Sequence, residues 1–182
     1  TAANFGVYRF DHRGHGRSHG APIFYNDFNE MIDDVNVVVE LARQQHPTLP
    51  VFLIGHSMGG FAVTTFGMKY PTSVNGIITS GALTRFNRAF PIPPDLPVDA
   101  YFPNELADGV CSDPAVVEAY VNDPLVAKQI SFGLFYCLFA GVEWNKQNSD
   151  KFVVPALILH GCHDGLVSEK DSRDFYGDVA SQ

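Results

Sequence analysis

The most regular pattern of apolar and polar residues in the chain is helical and lies between residues 28 and 42. Apolar side chains recur there at three- and four-residue steps, which places them on one face of a helix: Phe28, Ile32, Val35, Val39 and Ala42. Asp27 and Glu30 have the spacing of a capping box at the start, and Pro47 lies just past the end. The pattern predicts an amphipathic helix with one buried face.

Four short apolar runs predict β-strands, at residues 5–10, 51–54, 74–79 and 156–160. The second and fourth runs are continuously apolar, which is typical of strands buried on both faces of a parallel sheet. Helices are predicted after them, over residues 59–69 and 168–179. Strands that alternate with helices favour an α/β fold, with a mostly parallel sheet and flanking helices.

The stretch from residue 84 to residue 150 interrupts this alternation. It opens with five prolines between residues 91 and 103 and continues into short segments rich in Phe and Leu. A long interruption inside a compact domain needs a functional reason, and this one lies between two predicted strands of the sheet. We interpret it as an inserted cap, so that residues 1–83 and 151–182 form the two parts of the core.

Composition and charge exclude several classes of protein. The 12 Lys and Arg against 20 Asp and Glu give a net charge of −8, which argues against nucleic acid or an anionic membrane as the main electrostatic partner. With 46% hydrophobic and 18% charged residues the chain is not disordered. Its three cysteines show no zinc or disulfide pattern. The longest apolar run, residues 132–142, is too short to span a membrane.

The clearest chemical motif is GHSMG at residues 55–59, which fits G-x-S-x-G. It follows an apolar strand and precedes a helix, the setting in which a serine is held on a strained turn above a sheet. Ser57 is therefore the candidate nucleophile, and the Met58 N–H at the helix N-terminus is a candidate donor to an oxyanion. We expect side chains two residues before and after Ser57 to collide with the backbone, which explains Gly55 and Gly59. The alternative is a structural turn, and His56 is expected to shape it rather than act as a base.

A serine nucleophile needs a base and a carboxylate that orients the base. Asp164 lies in a loop just past the predicted strand at 156–160 and is the candidate acid; the alternative is a turn-forming aspartate. In the fold that holds a serine on such a strand–turn–helix, the histidine follows the acid in chain order. All seven histidines precede Asp164 in the chain, at positions 12, 15, 19, 46, 56, 160 and 163. The catalytic histidine is therefore expected to be absent from these 182 residues. We interpret His160 and His163 as structural.

Several motifs together resemble the monoacylglycerol lipase and lysophospholipase branch of the α/β-hydrolases, especially its bacterial members. They are GHSMGG at 55–60, DHRGHGRS at 11–18, NDPLV at 122–126 and LILHGCHD at 157–164. The resemblance covers nearly the whole chain. It implies the α/β-hydrolase fold, Ser57 as nucleophile, Asp164 as triad acid and Met58 as one oxyanion donor. The 11–18 motif is expected to be a structural turn.

The resemblance also implies that the cap shapes an acyl-chain tunnel. Residues 132–142 would then line the tunnel or face a membrane, with Phe132, Phe135, Leu138 and Phe139 as candidate substrate contacts; packing inside the cap is an equal alternative. The family's upstream His-Gly oxyanion loop and downstream histidine are missing here. We therefore expect a fragment of a longer hydrolase that lacks both termini and has little or no activity alone.

The function expected from the resemblance is hydrolysis of monoacylglycerol or lysophospholipid esters through an acyl-enzyme on Ser57, without a metal or organic cofactor. The partners would be a lipid ester and, transiently, a membrane or micelle at the cap, with no nucleic acid. Free cysteines and the lack of a visible signal sequence favour the cytoplasm. Two alternatives stay open: a short-chain or aromatic carboxylesterase or peptidase of the same fold, and a non-catalytic binding protein.

Overall fold

The computed structural model describes residues 4–88 and 96–181. The elements of these residues are, in chain order, α1 (Phe28–Gln45), β1 (Phe52–His56), α2 (Met58–Lys69), β2 (Gly76–Ser80), β3 (Tyr101–Pro103), α3 (Ala107–Val110), α4 (Pro114–Asn122), β4 (Gln129–Ser131), α5 (Phe132–Gln147), a 3-10 turn (Ser149–Lys151), β5 (Ala156–Leu159) and α6 (Glu169–Asp178). The three predicted helices all form, as α1, α2 and α6.

The central sheet is parallel, in the strand order β1–β2–β5. Residues 53–55 of β1 pair with residues 77–79 of β2, and residues 77–80 pair with residues 156–159 of β5. Because the strands are parallel, their carboxyl ends, where Ser57 and the loop of Asp164 follow, lie at one edge of the sheet. The alternation of strands and helices that the sequence predicts therefore produces the parallel α/β arrangement.

The predicted strand at residues 5–10 is not formed. No ladder of hydrogen bonds joins this segment to another strand within the described ranges 4–88 and 96–181, and Phe5 is 65% exposed. An extended segment becomes a β-strand only when a neighbour satisfies its backbone groups. A second sheet was not predicted: β3 and β4 form a two-stranded antiparallel pair inside the 84–150 insertion.

One face of the central sheet packs against α2, whereas the other is open. A Cβ on Gly55 would lie 2.7 Å from Val63 Cγ2, so the Gly55 side of β1 faces α2. On the opposite side Ile54 and Leu157, both in register with Ile78 of β2, are 73% and 52% exposed. The prediction that these strands are buried on both faces is therefore wrong for the described residues, since no element among them covers this side.

The core lies between α2, the sheet and the two helices α1 and α5. Residues 60–68 of α2 are buried all round, as expected for a helix surrounded by other elements. Asp27 caps α1 by accepting from the Asn29 N–H at 2.6 Å, while Glu30 reaches back to the Asn26 N–H at 3.0 Å. The last helix of the insertion, α5, contributes Leu134, Leu138 and Val142 to the same core, so insertion and sheet share one hydrophobic cluster.

Candidate active site

Ser57 occupies the turn between β1 and α2 in a strained backbone conformation. Its φ of 52° and ψ of −118° lie where side-chain-bearing residues are rarely found. The surrounding hydrogen bonds hold this conformation. The Ser57 N–H donates to the Ser80 carbonyl at 3.0 Å, and its own carbonyl accepts from Phe61 N–H at 3.1 Å and Leu83 N–H at 3.2 Å. Strain that the surroundings enforce in this way is typical of functional residues.

Of the two glycines expected to be required beside Ser57, the structure requires only Gly55. A Cβ on Gly55 would lie 2.2 Å from the Gly59 carbonyl oxygen, so that glycine is required. A Cβ on Gly59 would meet nothing within 4 Å, and the predicted collision at this position is wrong. The crowded position is instead Gly60, where a Cβ would lie 2.4 Å from the Ala82 Cβ. Close packing of α2 against the chain after β2 therefore selects Gly60.

Met58 is the first residue of α2, so its N–H has no acceptor within the helix. The helix dipole adds positive potential at the same end. An oxygen that gains negative charge beside Ser57 would be stabilised by this amide. The position thus has the chemistry of one half of an oxyanion hole.

The two carboxylate oxygens of Asp164 have different contacts. Its Oδ1 accepts from the N–H groups of Leu166 and Val167, both at 2.9 Å, which fixes the side chain on its loop. Its Oδ2 lies near the end of β2. A Cβ placed on Gly81, the residue after β2, would lie 3.0 Å from Asp164 Oδ2 and 3.5 Å from His56 Cε1. The second oxygen is thus held at the carboxyl edge of the sheet, one strand away from the Ser57 turn.

His160 braces the Asp164 loop from below. Its Nδ1 lies 2.7 Å from Ser172 Oγ on α6, and its Nε2 lies 3.2 Å from the Val167 carbonyl oxygen and 3.4 Å from Asp164 Oδ2. Since both neighbours of Nε2 are acceptors, Nε2 carries the hydrogen, and in the neutral ring Nδ1 accepts from the Ser172 hydroxyl. The ring has no contact that would make it a base for Ser57.

No histidine is hydrogen-bonded to the Ser57 hydroxyl within residues 4–88 and 96–181. The ring of adjacent His56 turns away, with its Nδ1 donating to the Ser80 carbonyl at 2.8 Å. The ring of His163 lies beside Cys162, with 3.8 Å between Nδ1 and Sγ. The structure thus brings Ser57, Met58 and Asp164 to one edge of the sheet without a base on the serine.

The 11–18 motif forms a turn that is tied to α1. Arg13 makes a bidentate pair with Asp34 at 2.7 and 2.8 Å and reaches Glu30 at 3.1 Å. Hydrogen bonding to Asp34 raises the pKa of Arg13 above its usual value. His12 is half-buried, and desolvation, followed by the charge of the nearby His15, lowers its pKa to about 4. These contacts are structural and involve none of the candidate catalytic groups.

The four candidate substrate contacts on α5 fall into two environments. Phe132 and Leu138 are 9% and 7% exposed, and Leu138 belongs to the core cluster. Phe135 and Phe139 are half-buried; Phe135 packs against Phe102, and Phe139 stacks on Phe86 with ring centroids 4.3 Å apart. Core packing therefore accounts for the first pair, whereas the second pair lies nearer the surface.

Two depressions differ in their relation to this site. A groove of about 770 Å³ lies beside Arg43 and Leu49, at the opposite end of β1 from Ser57. A narrow crevice of about 150 Å³ is lined by Leu83, Phe86 and Leu166, beside the Asp164 loop. Size favours the first and chemistry the second. We place the site at the second, because the candidate nucleophile and acid both adjoin it.

Comparison with known proteins identifies the family of the chain. The sequence profile of the family described as serine aminopeptidase, S33, matches residues 1–182. The chain belongs to this family of serine hydrolases. It is 34% identical to the monoacylglycerol lipase of Mycolicibacterium smegmatis, over 100% of the chain and 68% of that relative. It is 30% identical to the monoglyceride lipase of Homo sapiens, over 90% of the chain and 57% of that relative.

The fold of this S33 family member is also similar to that of a solved enzyme. The crystal structure of Paleococcus ferrophilus monoacylglycerol lipase matches 100% of the chain and 72% of its own length, with a TM-score of 0.85 and 24% identity. The predicted α/β-hydrolase fold and the predicted likeness to the monoacylglycerol lipase branch are thus confirmed. The chain spans 57–68% of the length of the two curated relatives.

Several residues of this S33 site gave no signal in the sequence. Leu83 holds the Ser57 carbonyl, Arg88 donates to the Asp164 carbonyl at 3.2 Å, and Ser172 fixes His160. Each of these contacts joins residues far apart in the chain, and none belongs to a motif. None of the described helices is both long and apolar enough to cross a membrane.

Proposed function

We propose that this S33 hydrolase cleaves the carboxylic ester of a single-chain lipid, of the monoacylglycerol or lysophospholipid type, with Ser57 as nucleophile. The observation that carries the proposal is the strained Ser57 at the N-terminus of α2. The names of the relatives support the substrate class, since two of them are a monoacylglycerol lipase and a monoglyceride lipase. Asp164 is the proposed triad acid.

In the proposed reaction the Ser57 oxygen attacks the ester carbonyl and its proton passes to a general base. The carbonyl oxygen becomes negatively charged and accepts from the Met58 N–H. Collapse of this intermediate releases the alcohol, which takes the proton, and leaves an acyl group on Ser57. Water then attacks the acyl-enzyme and frees the fatty acid. Asp164 Oδ2 lies 3.4 Å from His160 Nε2 but accepts from no amide of its own loop, and it is the oxygen proposed to orient the base.

The insertion at residues 84–150 is the proposed cap. It joins β2 to β5, and its first residues leave the sheet beside Ser57. The half-buried Phe135 and Phe139 are the proposed contacts with the lipid chain, and the buried Phe132 and Leu138 would support them from within. Apolar side chains in a cap suit an acyl chain better than a charged substrate.

Labelling with a fluorophosphonate probe tests the nucleophile. The experiment uses the natural gene product that contains these 182 residues, because the relatives are longer than the chain. Ser57→Ala is expected to abolish labelling, whereas Ser112→Ala, at an exposed serine, is expected to leave it unchanged. Undiminished labelling of the Ser57 variant would refute the assignment. A wild-type protein that never reacts would support the non-catalytic binding protein instead.

Substrate profiling separates the ester candidates from one another. We expect faster hydrolysis of 1-oleoylglycerol and lysophosphatidylcholine than of p-nitrophenyl acetate or methyl ferulate. Activity restricted to acetate or ferulate would favour a short-chain or aromatic carboxylesterase. The description of the matching family as an aminopeptidase favours a second candidate, an aminopeptidase. Amino-acid p-nitroanilides test it, and turnover of anilides but not esters would replace the lipase proposal.

Transient contact of the cap with a membrane or micelle is also proposed. Helix α4 has no buried residue, and Val116, Val121 and Leu125 in and beside it are 44–49% exposed. Co-sedimentation with phosphatidylcholine vesicles is expected to fall when Val116 and Val121 are both changed to Ser. Equal sedimentation of both proteins would refute the contact. We further propose a cytoplasmic location, since all three cysteines are free; cell fractionation tests it.

A further inference from the structure

The segment of residues 83–88, which leaves the sheet after β2, is held by a single buried carboxylate. Asp171, in the first turn of α6, is 1% exposed. Its Oδ2 accepts from the N–H groups of Arg85 at 3.2 Å and Phe86 at 3.1 Å, and its Oδ1 accepts from Asn87 N–H at 2.9 Å. Three successive amides that converge on one anion form an anion-binding nest. Asp171 therefore fixes the path of this segment.

The same contacts hold Phe86 in an unusual conformation. Its φ is +54°, in the left-handed region that bulky residues rarely enter. There the Phe86 ring stacks on Phe139 of α5, with centroids 4.3 Å apart and planes 12° from parallel. A left-handed phenylalanine is costly unless its neighbours enforce it, and the Asp171 carboxylate supplies that restraint at the residue itself and on both sides.

Segment 83–88 also touches both halves of the candidate active site. At one end the Leu83 N–H holds the Ser57 carbonyl at 3.2 Å. At the other end the Arg88 guanidinium donates to the Asp164 carbonyl at 3.2 Å. Between these ends, Leu83 and Phe86 line the narrow crevice beside the Asp164 loop. The Phe86 ring thus belongs to a segment that contacts both the Ser57 turn and the Asp164 loop, and Asp171 fixes its position.

We propose that Asp171 is a positioning residue that sets the selectivity of this hydrolase for the length of the ester chain, by holding Phe86 in place. The inference rests on the proposed ester hydrolysis at Ser57. A long acyl chain extends beyond the reacting carbonyl and packs on Phe86, whereas a short one does not reach it. Without the Asp171 carboxylate the Phe86 ring is no longer held in one position, and only the binding of long chains is weakened.

A purely structural role for Asp171 predicts a different result. A buried carboxylate that serves only the stability of α6 would, when removed, lower the amount of folded enzyme and the rates with all esters alike. The selectivity ratio, kcat/KM for a long ester divided by kcat/KM for a short ester, is independent of the concentration of active enzyme. This ratio therefore separates positioning from stability.

The experiment measures p-nitrophenyl butyrate and p-nitrophenyl decanoate with the natural gene product that contains the chain. For Asp171→Ala we expect kcat/KM with decanoate to fall about tenfold and that with butyrate to stay within about twofold, mainly through KM. Asp171→Asn keeps one acceptor oxygen and is expected to restore part of the ratio. The matched control is Asp174→Ala, on the same helix, whose carboxylate binds the Lys170 and Asn87 side chains but no backbone amide.

Hydrogen exchange gives a readout that is independent of activity. The amides of residues 85–87 are expected to exchange faster in Asp171→Ala and to stay protected in Asp174→Ala. If Asp171→Ala does not fold, Asp171→Asn takes its place and is expected to lower the same selectivity ratio to a smaller extent. An unchanged ratio in both Asp171 variants, with wild-type ester activity present, would overturn this inference alone. A wild-type protein that hydrolyses neither ester would overturn the proposed function, and this inference with it.

Discussion

The imidazole of His12 is the group that we expect to weaken the protein in mild acid. It packs edge-on against the Phe10 ring at 4.9 Å and lies 6.2 Å from the His15 ring. Its Nδ1 is buried and has no hydrogen-bond partner among the residues that the structure describes. Desolvation first, and the charge of His15 second, lower its pKa to about 4 from 6.5, while Asp34 opposes them.

The sign of the effect follows from where each state binds its proton. The unfolded chain takes up the His12 proton near pH 6.5, whereas the folded protein resists it until about pH 4. Acid therefore favours the unfolded state between these values, and stability falls as the pH falls. Through His12 the free energy of unfolding is expected to fall by about 2 kcal/mol by pH 5 and by about 3 kcal/mol by pH 4.

The measurement is urea unfolding at pH 7 and pH 5, compared between wild type and His12→Phe. The variant keeps an aromatic ring but cannot bind a proton, so its loss of stability over this range is expected to be smaller by about 2 kcal/mol. His19→Phe, at an exposed histidine, serves as the control. If wild type and the His12 variant lose the same stability between pH 7 and pH 5, the reasoning is refuted. A direct NMR titration of His12 near 6.5 would contradict it equally.

Three further predictions concern the site. Gly60→Ala is expected to destabilise the protein by about 1–3 kcal/mol, because the added Cβ has no room. Gly59→Ala is expected to be neutral or to stabilise the protein by less than about 1 kcal/mol. Thermal unfolding that ranks the two variants otherwise would contradict the packing. Ser57→Gly is expected to raise stability by about 1 kcal/mol while abolishing labelling, since glycine accepts a φ of 52°; a lower melting temperature would argue against strain. Ser172→Ala is expected to cost about 1–3 kcal/mol, because it leaves His160 Nδ1 unpaired, and an unchanged denaturation midpoint would show that water replaces the hydroxyl.

Local pattern was sufficient where one segment carries its own signal. The helices α1, α2 and α6 form within three residues of their predicted bounds, because periodicity and capping are properties of consecutive residues. The segment at 5–10 shows the limit of this reasoning. Its sequence is suited to a strand, but a strand exists only when another segment pairs with it.

The site divides in the same way. Ser57 was found because strand, turn and helix are adjacent in the chain, and the measured φ of 52° agrees with a strained turn. The sequence predicts a required glycine at Gly59, whereas the structure requires it at Gly60. The atom that excludes a side chain at position 60 belongs to Ala82. That neighbour lies on another segment and leaves no mark on the motif.

By itself, then, the sequence determined the α/β class, the strand–turn–helix of the nucleophile and the family of serine hydrolases to which it belongs. Only the tertiary structure decided which carboxylate oxygen of Asp164 binds the loop amides, what His160 supports and that Asp171 holds Phe86. The physical reason is range: the amides of residues 85–87 and the Asp171 carboxylate are 84–86 positions apart, and no local preference encodes their meeting.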